Sequence, residues 1–152
     1  MVSLHLWLVA AHVLFAATTI GATLSYAVWI ALAERAPAHL AFTIRAVRAS
    51  DRLVAIPAYV LTFVTGAWLT LEMGIPFDRP WLVASIAIYL VVLVVGFVAW
   101  GPVVRRELAA LESGGVADPE YRRSRDRARW LSLGTILALV VILVLMIARP
   151  GL

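Results

Sequence analysis

Four long apolar stretches, with nearly all of the charge lying between them, constrain this chain more than any motif does. They run Leu4–Leu32, Leu53–Leu71, Trp81–Trp100 and Trp130–Ala148, and none contains Asp, Glu, Lys or Arg. Each reaches about the ~20 residues that carry a helix across a ~30 Å hydrocarbon layer. Strands are a poor alternative, because four of them cannot close a barrel and would leave backbone groups unpaired in lipid. The expected fold is all-α: an integral membrane four-helix bundle, with residues 1–152 forming one four-span domain. At 63% hydrophobic and 14% charged residues, little remains for a soluble domain once the spans are removed.

The basic residues are all arginine, and their placement is lopsided. Arg35, Arg45, Arg48 and Arg52 lie in the first connection, and Arg105, Arg106, Arg122, Arg123, Arg125, Arg127 and Arg129 in the third. Only Arg79 and Arg149 fall on the other side. Basic residues in short connections stay cytoplasmic, so both termini are expected to be extracytoplasmic, with the chain in an inner (cytoplasmic) membrane. The net charge of +4 then reflects attraction to anionic lipid headgroups rather than to nucleic acid. Ala31-Leu32-Ala33 resembles a signal-peptidase site, but no basic residue precedes the apolar run, which far exceeds the ~7–15 residues of a signal core. A retained first helix is expected. With no cysteine, disulfides and thiolate sites are excluded.

Local chemistry marks the boundaries. Trp81 and Trp100 bracket the third span and Trp130 opens the fourth, as for rings that prefer the headgroup level; Trp7, Trp29 and Trp68 fit the same belts. Gly101-Pro102 predicts a kink, with the helix continuing to about Glu112. Gly114-Gly115 breaks it. Asp118-Pro119-Glu120 reads as an N-cap, a first-turn proline and a first-turn acid, so the fourth helix starts in water. Its run of Tyr121, Arg122, Arg123, Arg125, Arg127 and Arg129 predicts a solvated face that touches lipid headgroups. In the first connection, Leu40, Ile44 and Val47 share one helical face and Arg45, Arg48 and Arg52 another, which predicts a short interfacial helix. Ser50 or Asp51 would then cap span two, and Pro57 would bend it. The small residues Gly21, Ala22, Ser25, Gly66, Ala67 and Gly96 would allow close helix approach, within the bundle or in a homo-oligomer.

Taken in order, several segments resemble a family. They are Ala11-His12-Val13-Leu14 with Gly21, Asp51-Arg52 leading to Pro57, Thr65-Gly66-Ala67-Trp68-Leu69, Pro80-Trp81-Leu82, Tyr89, and the ending Leu145-Met146-Ile147-Ala148-Arg149-Pro150. Together they resemble the small bacterial predicted integral membrane proteins of unknown function, DUF2269. The resemblance covers nearly the whole length and implies a four-helix membrane bundle with no established activity. A first helix bearing His and then Gly is also similar, more distantly, to haem-associated and copper-associated small membrane proteins, a likeness confined here to His12 and Gly21.

The polar groups within the spans are few, and His12 leads them, because an ionisable residue in lipid is a functional candidate by default. His5 lies seven residues earlier on the same face, ~10 Å away along the axis, too far for both to bind one metal ion on a regular helix. A b-type haem needs an axial ligand in an apolar pocket, and a bundle interior offers one. His12 would be that ligand, with Tyr59, Thr62, Thr65 and Tyr89 around it. Spans two, three and four contain no His, so the haem would be five-coordinate, or ligated by Met or another subunit. The alternative is that His12 hydrogen-bonds to Thr62, Thr65, Tyr59 or Tyr89 and simply ties helices together. At the terminal face, His5, Met73, Met146 and Asp78 form a set suited to Cu(I). His39 reads as surface.

Phosphate-binding loops and zinc signatures are missing from the sequence, no Ser-His-Asp set can be placed at one depth, and the spans hold no carboxylate for ion pumping. Three functional expectations follow: a haem-binding or redox membrane protein centred on His12; a cofactor-free structural or accessory subunit of a larger membrane complex; and copper or small-molecule handling at the outer face.

Overall fold

The computed structural model describes residues 3–149. Pro150, which closes the resemblance above, lies outside them. Every regular element among the described residues is helical. They are α1 (Leu4–Ala33), α2 (Leu40–Ser50), α3 (Ile56–Glu72), α4 (Pro80–Val94), α5 (Gly101–Gly114) and α6 (Pro119–Ala148), with a short 3₁₀ turn, Pro37–His39, leading into α2.

The six helices make four spanning rods. α2 continues into α3 through a π-helical turn at Asp51–Ala55, and α4 continues into α5 through another at Val95–Trp100. The rods Pro37–Glu72 and Pro80–Gly114, like α1 and α6, are long and apolar enough to cross a membrane. Each π turn has a local cause. Pro57 and Pro102 each follow a π turn by two residues, and a proline in an α-helix loses its own donor while its ring crowds the carbonyl four residues back. Widening the turn shifts the bonding register: Ile56 N–H donates to the Asp51 carbonyl, five residues earlier.

This continuity corrects two expectations. The segment around Leu40, Ile44 and Val47 is the far end of the second rod rather than a separate interfacial helix. Its expected buried face is nonetheless the one observed: Leu40 and Ile44 are 1% exposed and Val47 is 7% exposed. Neither Ser50 nor Asp51 caps span two, because both have right-handed helical dihedrals inside an unbroken rod and no helix end exists there to cap. The other expected cap is present. Asp118 accepts from Glu120 N–H at 2.6 Å and Tyr121 N–H at 3.4 Å. The preceding break turns at Gly115, whose φ of 72° suits glycine.

In the membrane, α1 packs on α3 and α4 packs on α6, with α1 and α6 joining the two pairs. The helices reach well beyond the apolar spans at one end only, the end rich in arginine. There α2, α5 and the first turns of α6 close around Ala33, Leu40, Ile44, Val104, Ala110 and Tyr121. The sequence left little room for a soluble domain. The chain builds this extra core from the same helices by extending them past the membrane.

Two placements differ from the aromatic-belt and close-packing expectations. Trp7, Trp29, Trp68 and Trp130 are each more than half exposed, as belt residues are, but Trp81 is buried (4% exposed) and Arg149 lies over its ring at 5.7 Å. Gly66 does admit a close neighbour, whereas a side chain at Gly21 or Gly96 would meet nothing within 4 Å.

Candidate functional site

His12 lies in the terminal half of the bundle, on the face of α1 that packs against α3. Its Nδ1 is 3.0 Å from the Thr62 carbonyl oxygen and 3.1 Å from Thr65 Oγ1. Thr65 already donates its hydroxyl proton to the Leu61 carbonyl, so its oxygen can only accept here. The proton therefore sits on His12 Nδ1, shared between the two oxygens, and Nε2 keeps a bare lone pair. Gly66 makes room for the ring: a methyl group there would lie 2.9 Å from His12 Cε1.

Of the four neighbours expected around His12, Thr62 and Thr65 bond it directly, while Tyr59 and Tyr89 form a separate link. The Tyr89 hydroxyl donates to the Tyr59 carbonyl at 2.7 Å, and Phe63 stacks on Tyr89 with centroids 6.0 Å apart. The Tyr59 hydroxyl meets Thr23 Oγ1 at 3.3 Å. Thr23 spends its own proton on the Thr19 carbonyl, so Tyr59 is the donor.

His5 does share the α3-facing side of α1 with His12. Its partner is Glu72, with Nδ1 3.2 Å from Oε2, a residue the sequence reading passed over in favour of Asp78. Only the fold reveals this pair, because it joins positions 67 residues apart. Asp78 and Met73 are exposed, and Met146 is half-buried on α6. Among the described residues, no three His, Cys, Asp or Glu side chains cluster closely enough to hold a metal ion.

A cavity walled by polar and aromatic side chains lies toward the other end. It measures about 70 Å³ and lies between the two π turns. Asp51 and Ile56 line it from the second rod, and Val95, Gly96, Phe97 and Trp100 from the third. Thr23, Tyr26 and Tyr59 supply polar groups, and Ser132 and Thr135 of α6 supply two hydroxyls. Asp51 is half-buried, and among the described residues it has no ion-pair partner within 4 Å. The Tyr26 hydroxyl is buried and makes no well-formed hydrogen bond, although Ser50 lies beside it. Sequence reasoning missed this site because its walls come from all four rods. The prolines at 57 and 102 were the available signal, and they read there only as bends.

A charged cluster holds the arginine-rich end together outside the apolar spans. Arg125 of α6 pairs with Glu34, which follows α1, through an Nε to Oε1 contact of 2.5 Å, and its Nε also approaches Glu107 Oε1 of α5 at 3.8 Å. Glu107 is 3% exposed and its Oε1 accepts no hydrogen bond. Burial pushes the Glu107 carboxyl up to about 7, with Arg125 opposing that rise and Glu34 adding to it. The neighbouring Arg122, Arg123, Arg127 and Arg129 are exposed, as the sequence predicts, whereas Tyr121 is buried and Arg125 is mostly so.

Four apolar rods, a polar tie between the first two spans and a charged cap at one end define a multi-pass integral membrane protein. The chain belongs to the family described as predicted integral membrane protein (DUF2269), whose model matches residues 6–150. No curated protein and no solved structure matches it, so the more distant likeness to haem-associated and copper-associated proteins gains no support.

Proposed function

We propose that this chain is a small-molecule-binding membrane protein whose ligand enters the cavity between the two π turns. One observation carries the reading: both π turns, an unpaired half-buried carboxylate and an unsatisfied tyrosine hydroxyl meet at the same cavity. π turns inside helices concentrate at functional sites, and a carboxylate packed among helices without a cation partner is costly unless it is used. The class is the small-molecule handling expected from sequence, moved from the terminal face to the arginine-rich end.

The test is a native mass spectrum of the protein released from detergent micelles, beside a Thr135→Phe variant whose ring fills the cavity. A bound small molecule present in the wild type and lost in the variant is the expected result. Equal occupancy in both would overturn the reading.

The haem reading keeps one favourable observation: with Nδ1 held by Thr62 and Thr65, His12 presents Nε2 as a bare lone pair, the tautomer an axial ligand needs. The cavity does not reach His12, and at about 70 Å³ it falls well short of the ~300–1,000 Å³ of drug-sized ligand sites. A Soret band in the purified protein that disappears in His12→Ala would favour haem over the cavity reading.

We further infer that the chain sits in the inner membrane with both termini outside and its arginine-rich cap in the cytoplasm, supported by the distribution of arginines. A cysteine introduced at Asp78 should react with an impermeant reagent on intact cells and one at Ser113 should not. Equal labelling would refute the orientation.

A further inference from the structure

We propose that the ligand of this cavity is a compact organic ammonium ion, held by the Asp51 carboxylate and the aromatic walls formed by Tyr26, Tyr59, Phe97 and Trp100. This rests on the reading of the cavity as a ligand site and goes on to name the ligand's chemistry.

The sign of the ligand follows from the lining. Among the described residues, Asp51 is the only charged one that borders the cavity. Its chain neighbour Arg52 is exposed and does not line the cavity. An anion would meet a carboxylate with no cation beside it in the wall. A neutral guest would displace water from Asp51 and leave the charge unpaired in a low-dielectric site, which is the costliest arrangement for a carboxylate. A cation resolves both problems.

The chemical class follows from the rest of the wall. Four aromatic rings border the space, and ring faces attract a weakly hydrated cation through their quadrupoles; a carboxylate joined to such rings is the usual recognition set for alkylammonium groups. A divalent metal ion instead needs several oxygen ligands drawn in to ~2.0–2.6 Å, and among the described residues Asp51 is the only carboxylate in the wall. The buried Tyr26 hydroxyl, which makes no well-formed hydrogen bond to its neighbour Ser50, can accept from an N–H group.

Size limits the guest. The cavity is about half as large as the ~150 Å³ void that admits benzene, so it takes an ammonium head of a few heavy atoms. Phe97, 57% exposed, borders the cavity from the membrane-facing surface of the third rod. An alkyl chain attached to the ammonium group can leave along it into lipid.

The test is calorimetric titration of the purified full chain in detergent with two probes of nearly equal size, trimethylammonium chloride and the neutral tert-butyl alcohol. Trimethylammonium should bind at least tenfold more tightly than tert-butyl alcohol, and Asp51→Asn should remove most of that preference while leaving the melting temperature close to wild type. Equal affinity for the two probes on the wild-type protein would overturn the ammonium assignment and leave the cavity reading intact. That comparison needs no variant, so it decides the matter even if Asp51→Asn fails to fold. Binding of neither probe would overturn the ammonium assignment. The cavity reading would then fall only if the mass spectrum of the wild type also showed no ligand lost in Thr135→Phe.

Discussion

The two ends of the bundle differ in how they treat their ionisable side chains. In the terminal half, both histidines that face α3 from α1 find partners on that helix: His12 bonds Thr62 and Thr65, and His5 bonds Glu72, although the Trp81 indole N–H there is buried without a partner. Gly66 brings the His12 ring directly onto α3. In the arginine-rich half, the two π turns border a cavity instead. Asp51 and the Tyr26 hydroxyl are left without firm partners at a cavity, and Glu107 is buried with one oxygen unbonded. In lipid a polar group must be satisfied by protein, by water or by a ligand. The terminal half pairs its two histidines within the protein, and the other half leaves the Tyr26 hydroxyl and one Glu107 oxygen unbonded.

If the arginine-rich end depends on a few charges under strain, breaking them should have the largest effect. Arg125→Ala leaves Glu107 buried without its cation, and at pH 8 it should lower stability by about 3 kcal/mol, measured as unfolding in mixed micelles. The loss should shrink at pH 6, where Glu107 takes up a proton. In the unaltered protein, a folded-state value near 7 set against an ordinary 4.5 means that the folded form binds the proton more tightly. The contribution of Glu107 to stability is therefore greatest below about pH 4.5 and declines as pH rises towards 7. Glu107→Gln should flatten that decline. A pH profile unchanged by this substitution would remove Glu107 from the account.

The terminal half should respond more mildly and through packing. Gly66→Ala drives a methyl into the His12 ring and should cost about 1–3 kcal/mol, the usual range for overpacking. His12→Ala loses one interhelical hydrogen-bonded ring and should cost about 1–2 kcal/mol. The double variant should cost less than the sum of the two, because the small side chain removes the clash it would otherwise meet. Strict additivity would show that His12 and Gly66 do not press on each other.

Much of the fold was legible because a bilayer punishes most arrangements. The four spans, the Asp118 cap, the glycine break and the buried face of Leu40, Ile44 and Val47 all follow from local chemistry or helical period. Thr62 and Thr65 were legible as partners of His12, since few polar groups share its environment. Glu72, Arg125 and Glu107 were not, because each owes its role to a residue on another helix, far away in sequence. Asp51 was misread for a related reason: as a cap it needed a helix end, and whether a helix ends there depends on how Pro57 is accommodated.

The sequence by itself determined that this chain crosses a membrane four times as helices, because runs of uncharged apolar residues near the required length have no other way to satisfy their backbone in lipid. Only the tertiary structure decided where its polar groups are spent. A hydrogen bond, an ion pair or a cavity wall is a relation between helices, and the π turns Asp51–Ala55 and Val95–Trp100 bring residues of two rods to one such cavity.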